Sequence, residues 1–188
     1  MNKFKSFVFM TAKQRRLCQH LAGEQPRLQR MAYSWTHDMD IADEIVQQTM
    51  IKAIRHIDSL KDFRAVDGWM FRVLSNCFYD HCRRQKDTID IDDCVLVGEH
   101  TPDSLSDQDE MLNGVRSAIA QLPVKHRQVI TLVDLESLSY LEVAEILQVP
   151  VGTVMSRLNR ARKNLKELLK DEDRRADSSH RAGLKLVR

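Results

Sequence analysis

Apolar residues along this 188-residue chain recur with a helical period wherever they recur regularly. Leu28, Met31, Ala32 and Trp35 fall at i, i+3, i+4 and i+7, the spacing that lines one face of an α-helix. A shorter helix is expected before them, around 14–21. Ile41, Ile45, Met50, Ala53, Ile54 and Ile57 mark the next, with Asp40 expected as its N-cap. Asp43 and Glu44 would sit near its start, where anions offset the helix dipole. After the polar connection SLKDFRAVDG, a further helix carries Trp69, Met70, Val73, Leu74, Cys77 and Phe78 and ends in a basic run from His81 to Lys86. Trp69 and Phe78 lie on its apolar side and are expected in the core. No period-two segment is long enough for a strand, and no internal repeat is present, so the expected fold class is all-α.

The second half of the chain is patterned in the same way. Leu112, Val115, Ile119 and Leu122 predict a helix stopped by Pro123, and Val129, Ile130 and Leu132 are the core of another over 125–135. The run from Ser139 to Leu169, SYLEVAEILQVPVGTVMSRLNRARKNLKELL, carries the most information. Ser139 and Glu142 form a capping box, in which each side chain answers the other's backbone N–H. The short helix that follows breaks at Gln148-Val149-Pro150, because proline cannot continue a helix but can begin one. The next helix buries Val154, Leu158, Ala161, Leu165 and Leu168. Its outer face holds Thr153, Ser156, Arg157, Asn159, Arg160, Arg162, Lys163 and Lys166. Two closely linked helices, the second cationic and rich in amides and hydroxyls, describe a helix-turn-helix whose second member enters a DNA major groove.

Charge divides the chain. The formal net charge is only +2, but residues 1–86 hold 15 Lys and Arg against 9 Asp and Glu. Residues 87–110 hold 9 acids and no Lys or Arg, and residues 111–188 hold 14 bases against 9 acids. Two basic bodies therefore flank an acidic connector with no helical period, which reads as a flexible linker. The expected domains are 1–86, a linker over 87–110, a helix-turn-helix domain over 111–170, and a disordered basic tail over 171–188. Two basic units on one tether suit a ligand with two linked sites, since the tether raises the effective concentration of the second contact.

Other classes are excluded or disfavoured. No apolar run approaches a membrane span. The apolar part of MNKFKSFVFM is too short for a signal peptide and lacks a small-residue cleavage site, so a cytoplasmic location is expected. Cys18, Cys77, Cys82 and Cys94 show no paired CxxC spacing, and His20 and His81 do not complete a metal set. Reduced thiols, no metal and no cofactor are expected. No P-loop, HExxH or GxSxG motif is present, which argues against an enzyme and a small-molecule substrate. His37, Asp38 and Asp40 read as a helix-capping turn.

With these residues in view, the chain resembles the extracytoplasmic-function (ECF) sigma factors of bacterial RNA polymerase over about 20–86 and 111–170. ADEIVQQTMIKA, from Ala42 to Ala53, is similar to the family's polymerase-binding helix, commonly close to AEDLVQETFLRA. GWMFRVLSNCFYDHCRR, from Gly68 to Arg84, resembles the segment that reads and helps melt the minus-ten element. LPVKHRQVITLVDLESLSYLEVAEILQVPVGTVMSRLNRAR is close to the minus-thirty-five reader.

The resemblance implies two small helical domains, sigma domains two and four, and promoter-specific transcription initiation with core RNA polymerase and promoter DNA as partners. It also implies an anti-sigma factor, often membrane-anchored, that wedges between the domains, and a linker that runs through the RNA exit path. Asp43, Glu44, Val46, Gln47 and Gln48 would face polymerase. Arg64, Arg72, Asn76, Arg83 and Arg84 would serve the minus-ten element, with Asn76 on a flipped base and 61–67 forming its pocket. Thr153, Ser156, Arg157, Asn159 and Arg160 would meet the minus-thirty-five groove.

Three positions depart from the family pattern. Gln48 replaces a common glutamate, Ile54 stands for an aromatic, and Met155 stands where Lys or Arg is usual, removing a phosphate or base contact. The competing reading is a stand-alone helix-turn-helix regulator with an N-terminal sensor or dimerisation unit. Residues 42–53 weigh against it, since such a regulator has no reason to carry a polymerase-contact helix.

Overall fold

The computed structural model describes residues 11–85 and 107–183, and every regular element among them is helical. Contacts divide the chain into two compact units, one built chiefly on the helices before the acidic stretch and the other on those after it.

In the first unit, α1 (Ala12–Thr36) is one continuous helix where the apolar pattern predicts two. Pro26 lies inside it, at an exposed position. Proline removes a backbone bond and strains the preceding turn. Burial of Leu17, Leu21, Leu28, Met31, Ala32 and Trp35 along a single face outweighs that local penalty. Helix α2 (Met39–His56) follows a turn in which His37 has φ 54°. Its N-cap is Asp38, not Asp40: the Asp38 carboxylate accepts from the Ile41 N–H at 3.0 Å. Asp40 falls two residues later, within the first turn.

Two 3₁₀ turns, Ile57–Ser59 and Phe63–Ala65, occupy the polar connection and lead into α3 (Val66–Gln85). Lys13 donates to the Leu60 carbonyl at 2.6 Å, the Arg16 guanidinium lies 4.1 Å from the Phe63 ring centre, and His20 meets Asp67 at 2.7 Å. These contacts tie α1 to the connection and to the start of α3. Helices α2 and α3 pack together, with Ile45, Leu74, Cys77 and Phe78 fully buried. Trp69, expected in the core beside Phe78, is only half-buried, because α3 turns that edge of its apolar stripe toward the surface.

In the second unit, α4 (Asp107–Ala120) begins within the stretch expected to be linker. Helix α5 (Val124–Ile130) passes directly into a π-helical segment, Thr131–Leu135. Helix α6 (Tyr140–Leu147) and α7 (Val151–Gly183) form the helix-turn-helix. Helix α7 continues well past residue 170, where a disordered tail was expected. Residues 171–182 contain neither glycine nor proline, so nothing in the local sequence breaks the helix before Gly183. Helix α7 packs on both α4 and α5.

The polar pivot of this unit is Arg127, which is fully buried. Its guanidinium donates to the carbonyl of Ala120 and, at 3.0 Å, to that of Leu122. Carbonyls at a helix C-terminus have no partner within the helix, and here a side chain from the next helix supplies it. Arg127→Ala should strand these buried acceptors and cost about 3 kcal/mol in urea unfolding. Arg127→Lys should not restore the loss, since an ammonium cannot reproduce the planar fork.

Candidate nucleic-acid interface

The helix-turn-helix is set up by local chemistry at both ends of α6. At its start the Glu142 N–H donates to Ser139 Oγ at 3.3 Å, and the Ser139 N–H donates to the Glu142 carboxylate at 2.8 Å. The Ser139 hydroxyl and N–H together hold that carboxyl below its ordinary value. At its end Gln148 takes φ 56°, and the Val149 N–H donates to the Ala144 carbonyl at 3.1 Å. This is a Schellman-type stop, built on glutamine where glycine is usual. Pro150 then starts α7, its carbonyl accepting from the Thr153 N–H at 2.8 Å.

Burial of Val154, Leu158 and Ala161 fixes the rotation of α7. The opposite side bears a shallow concave patch lined by Gly152, Met155, Ser156, Asn159 and Arg160. Three of the expected groove residues, Ser156, Asn159 and Arg160, are thus brought together. Thr153 and Arg157 are half-buried and flank the patch. Ser156 donates its hydroxyl to the Thr153 carbonyl at 3.0 Å, so toward a ligand its oxygen can serve as an acceptor. Arg162, also on the outer face, is committed elsewhere: it forms a two-pronged pair with Asp134 at 2.5 and 3.1 Å.

Helix α5 contributes a further charge-sensitive group. His126 is pushed below its ordinary pKa of 6.5 first by burial and then by the cations Arg160 and Arg157. Its buried Nδ1 has no hydrogen-bond partner among the described residues.

On α3, Arg72, Asn76 and Arg83 are exposed, and their i, i+4, i+11 spacing puts them on one stripe. The half-buried rings of Trp69 and Tyr79 fall on the same stripe, interleaving aromatics with cations. Arg64 is exposed on the 3₁₀ turn before α3. Arg84 departs from this group. One residue on from Arg83, it points around the helix to Glu44 at 3.5 Å and to the Gln48 side-chain oxygen at 3.4 Å.

On α2, Asp43, Glu44 and Gln47 are exposed and Gln48 is partly so, its amide donating to Glu44 at 2.7 Å. Val46 corrects the expectation for this helix: it is buried and packs inward. Met39 and Ile51 are instead exposed at either end of the acidic and amide face. The sequence reading passed over both, and an apolar residue exposed within a polar face is the signal that marks them.

The family descriptions "Sigma-70 region 2" and "Sigma-70, region 4" match residues 21–88 and 112–165. The ECF RNA polymerase sigma factor EcfG of Rhodopseudomonas palustris is 34% identical over 147 residues, covering 77% of this chain and 80% of that protein. The ECF RNA polymerase sigma factor SigW of Bacillus subtilis is 30% identical over 157 residues, covering 77% and 84%. The chain belongs to the ECF sigma factors. As a sigma factor it binds core RNA polymerase and directs promoter-specific initiation, and it performs no catalysis itself.

Among solved structures, the sigma factor is similar to RpoE of Bartonella quintana in complex with the anti-sigma factor NepR. The TM-score is 0.65 and the identity 30%, over 82% of this chain and 97% of that one. It is also similar to CnrH in complex with the cytosolic domain of CnrY, at TM-score 0.60 and 26% identity over 84% and 90%. No helix among the described residues is long and apolar enough to cross a membrane, and these residues hold no group of three or more potential metal ligands.

His126 makes the sigma factor's stability depend on pH. Its folded pKa lies below the unfolded value, so its contribution is complete above about pH 6.5 and is lost as pH falls toward the folded pKa. Melting temperature should drop as pH falls below about 6.5, and His126→Gln should flatten part of that drop.

Proposed function

We propose that α7 reads the minus-thirty-five element of the sigma factor's promoters, and that the α3 stripe reads and holds open the minus-ten element. The observation that carries the first assignment is the rotation of α7: its apolar side is seated in the fold, and Ser156, Asn159 and Arg160 stand together outward. Amide and guanidinium groups can make paired hydrogen bonds to base edges, while Arg157 and Thr153 at the margin suit phosphates. For the minus-ten element, Asn76 offers an amide to an unstacked base, Trp69 and Tyr79 offer rings to stack on, and Arg64, Arg72 and Arg83 offer charge to the strand.

The α2 face, with Asp43, Glu44, Gln47, Gln48 and the exposed Ile51 and Met39, docks on core polymerase. Through its contacts to Glu44 and Gln48, Arg84 shapes that face rather than the DNA stripe. An anti-sigma factor, the class of partner bound in the similar RpoE structure, is the expected regulator, and the cytoplasm is the expected place of action.

Run-off transcription with purified core polymerase on fragmented genomic DNA tests the reading. Discrete transcripts that appear only with this protein are expected, and their upstream sequences define both elements. Asn76→Ala should then relax minus-ten selectivity, and Arg160→Ala should weaken minus-thirty-five binding by about tenfold or more. Equal activity on a scrambled minus-ten element would overturn the α3 assignment. Ile51→Glu should reduce co-elution with core polymerase while leaving the melting temperature nearly unchanged, since the side chain is already exposed.

Gly152 supplies a separate check. Nothing lies within 4 Å of a Cβ added there, so Gly152→Ala should stabilise the fold by about 0.5 kcal/mol. The same change should weaken promoter binding, because the methyl group would stand where α7 approaches the groove.

A further inference from the structure

Met155 is anomalous on the outer face of α7. It is 54% exposed, within a patch otherwise made of a glycine, a hydroxyl, an amide and a guanidinium. An apolar side chain held in water contributes nothing to the core, and the other residues lining the patch are polar or lack a side chain. Among the groups that base pairs present in a major groove, one is apolar: the C5-methyl of thymine. Methionine is suited to meet it, being unbranched, polarizable and able to adjust over three rotatable bonds.

The surroundings favour that contact. Helical side chains lean toward the N-terminus, which carries the Met155 side chain over the turn that contains Gly152. The absence of a side chain at Gly152, with open space where a Cβ would project, leaves room for a base edge beside the thioether. Asn159, one turn further along, can make paired hydrogen bonds to an adenine. The patch thus combines an adenine-suited amide with a methyl-suited thioether four residues away.

We propose that Met155 is a specificity-determining residue that reads the C5-methyl of one thymine in the minus-thirty-five element. Such a contact gives the element a preference for A·T at that pair. The proposal rests on the assignment of α7 to that element.

The test is binding of holoenzyme to a promoter duplex found by run-off transcription, with each thymine of the minus-thirty-five element, on either strand, replaced singly by deoxyuridine. Uracil pairs as thymine does and keeps its O4 acceptor, lacking only the methyl. One position should lose affinity about three- to fivefold, as expected for one buried methyl group. Met155→Ala holoenzyme should bind the thymine and uracil duplexes equally, near the level of wild type on uracil, while other positions keep their preferences.

Indifference of the wild type to uracil at every position would overturn the proposal. So would an element with no A·T pair, or a uracil penalty that persists in Met155→Ala. A scrambled minus-thirty-five element separates this result from failure of the underlying reading. If scrambling does not weaken binding, the assignment of α7 itself is wrong. If scrambling weakens binding and uracil does not, only the role of Met155 is wrong.

Discussion

The rotational setting of α7 is the constraint on which the outward face of the helix-turn-helix depends. A helix repeats every 3.6 residues, so burying Val154, Leu158 and Ala161 determines where every other side chain points. Turning α7 by one position would bury Asn159 and Arg162 in one direction, or Arg157 and Arg160 in the other, and so bury a cation either way. Desolvating an unpaired charge costs far more than the packing could return, so the setting is strongly determined. The turn before α7 serves the same end: Gln148 in a left-handed conformation and Pro150 at the helix entrance set its direction without a glycine.

Arg127 supports this arrangement from below. Its guanidinium takes up carbonyls at the end of α4 and so fixes α5 relative to α4, the two helices on which α7 rests. A buried arginine is a demanding choice, since each unmet acceptor is costly, but it is also directional in a way that an apolar residue is not. His126, one residue before, lies close enough to Arg157 and Arg160 for their charges to depress its pKa. Two adjacent residues of α5 thus differ sharply: Arg127 is buried with its guanidinium hydrogen-bonded to carbonyls, while His126 senses the cations of α7.

The first unit separates its tasks by helix face. On α2, a carboxylate and amide surface is framed by exposed Met39 and Ile51, a mixture of polar and apolar groups suited to a protein partner. On α3, cations alternate with half-exposed rings, which suits single-stranded nucleic acid. Arg84 shows how narrow the boundary is. A single step along α3 moves it by about 100° from the line of Arg83, and it joins Glu44 and Gln48 instead.

The sequence by itself determined the helical class, the division around an acidic stretch, the capping box at Ser139, the break at Pro150 and the cationic outer face of α7. These are short-range properties, written in periodicity, capping chemistry and charge, and a local pattern suffices to read them. Only the tertiary structure decided that α1 runs unbroken through Pro26, because long-range packing outweighed a local breaker. It also turned Val46 inward, left Ile51 and Trp69 toward the surface, and moved Arg84 off the stripe of Arg72, Asn76 and Arg83. For such residues the outcome depends on which neighbouring helix arrives and at what angle. Arg127 is the clearest case: in the sequence it is one more cation in a basic segment, and only the fold brings it the carbonyls that make burial of its charge favourable.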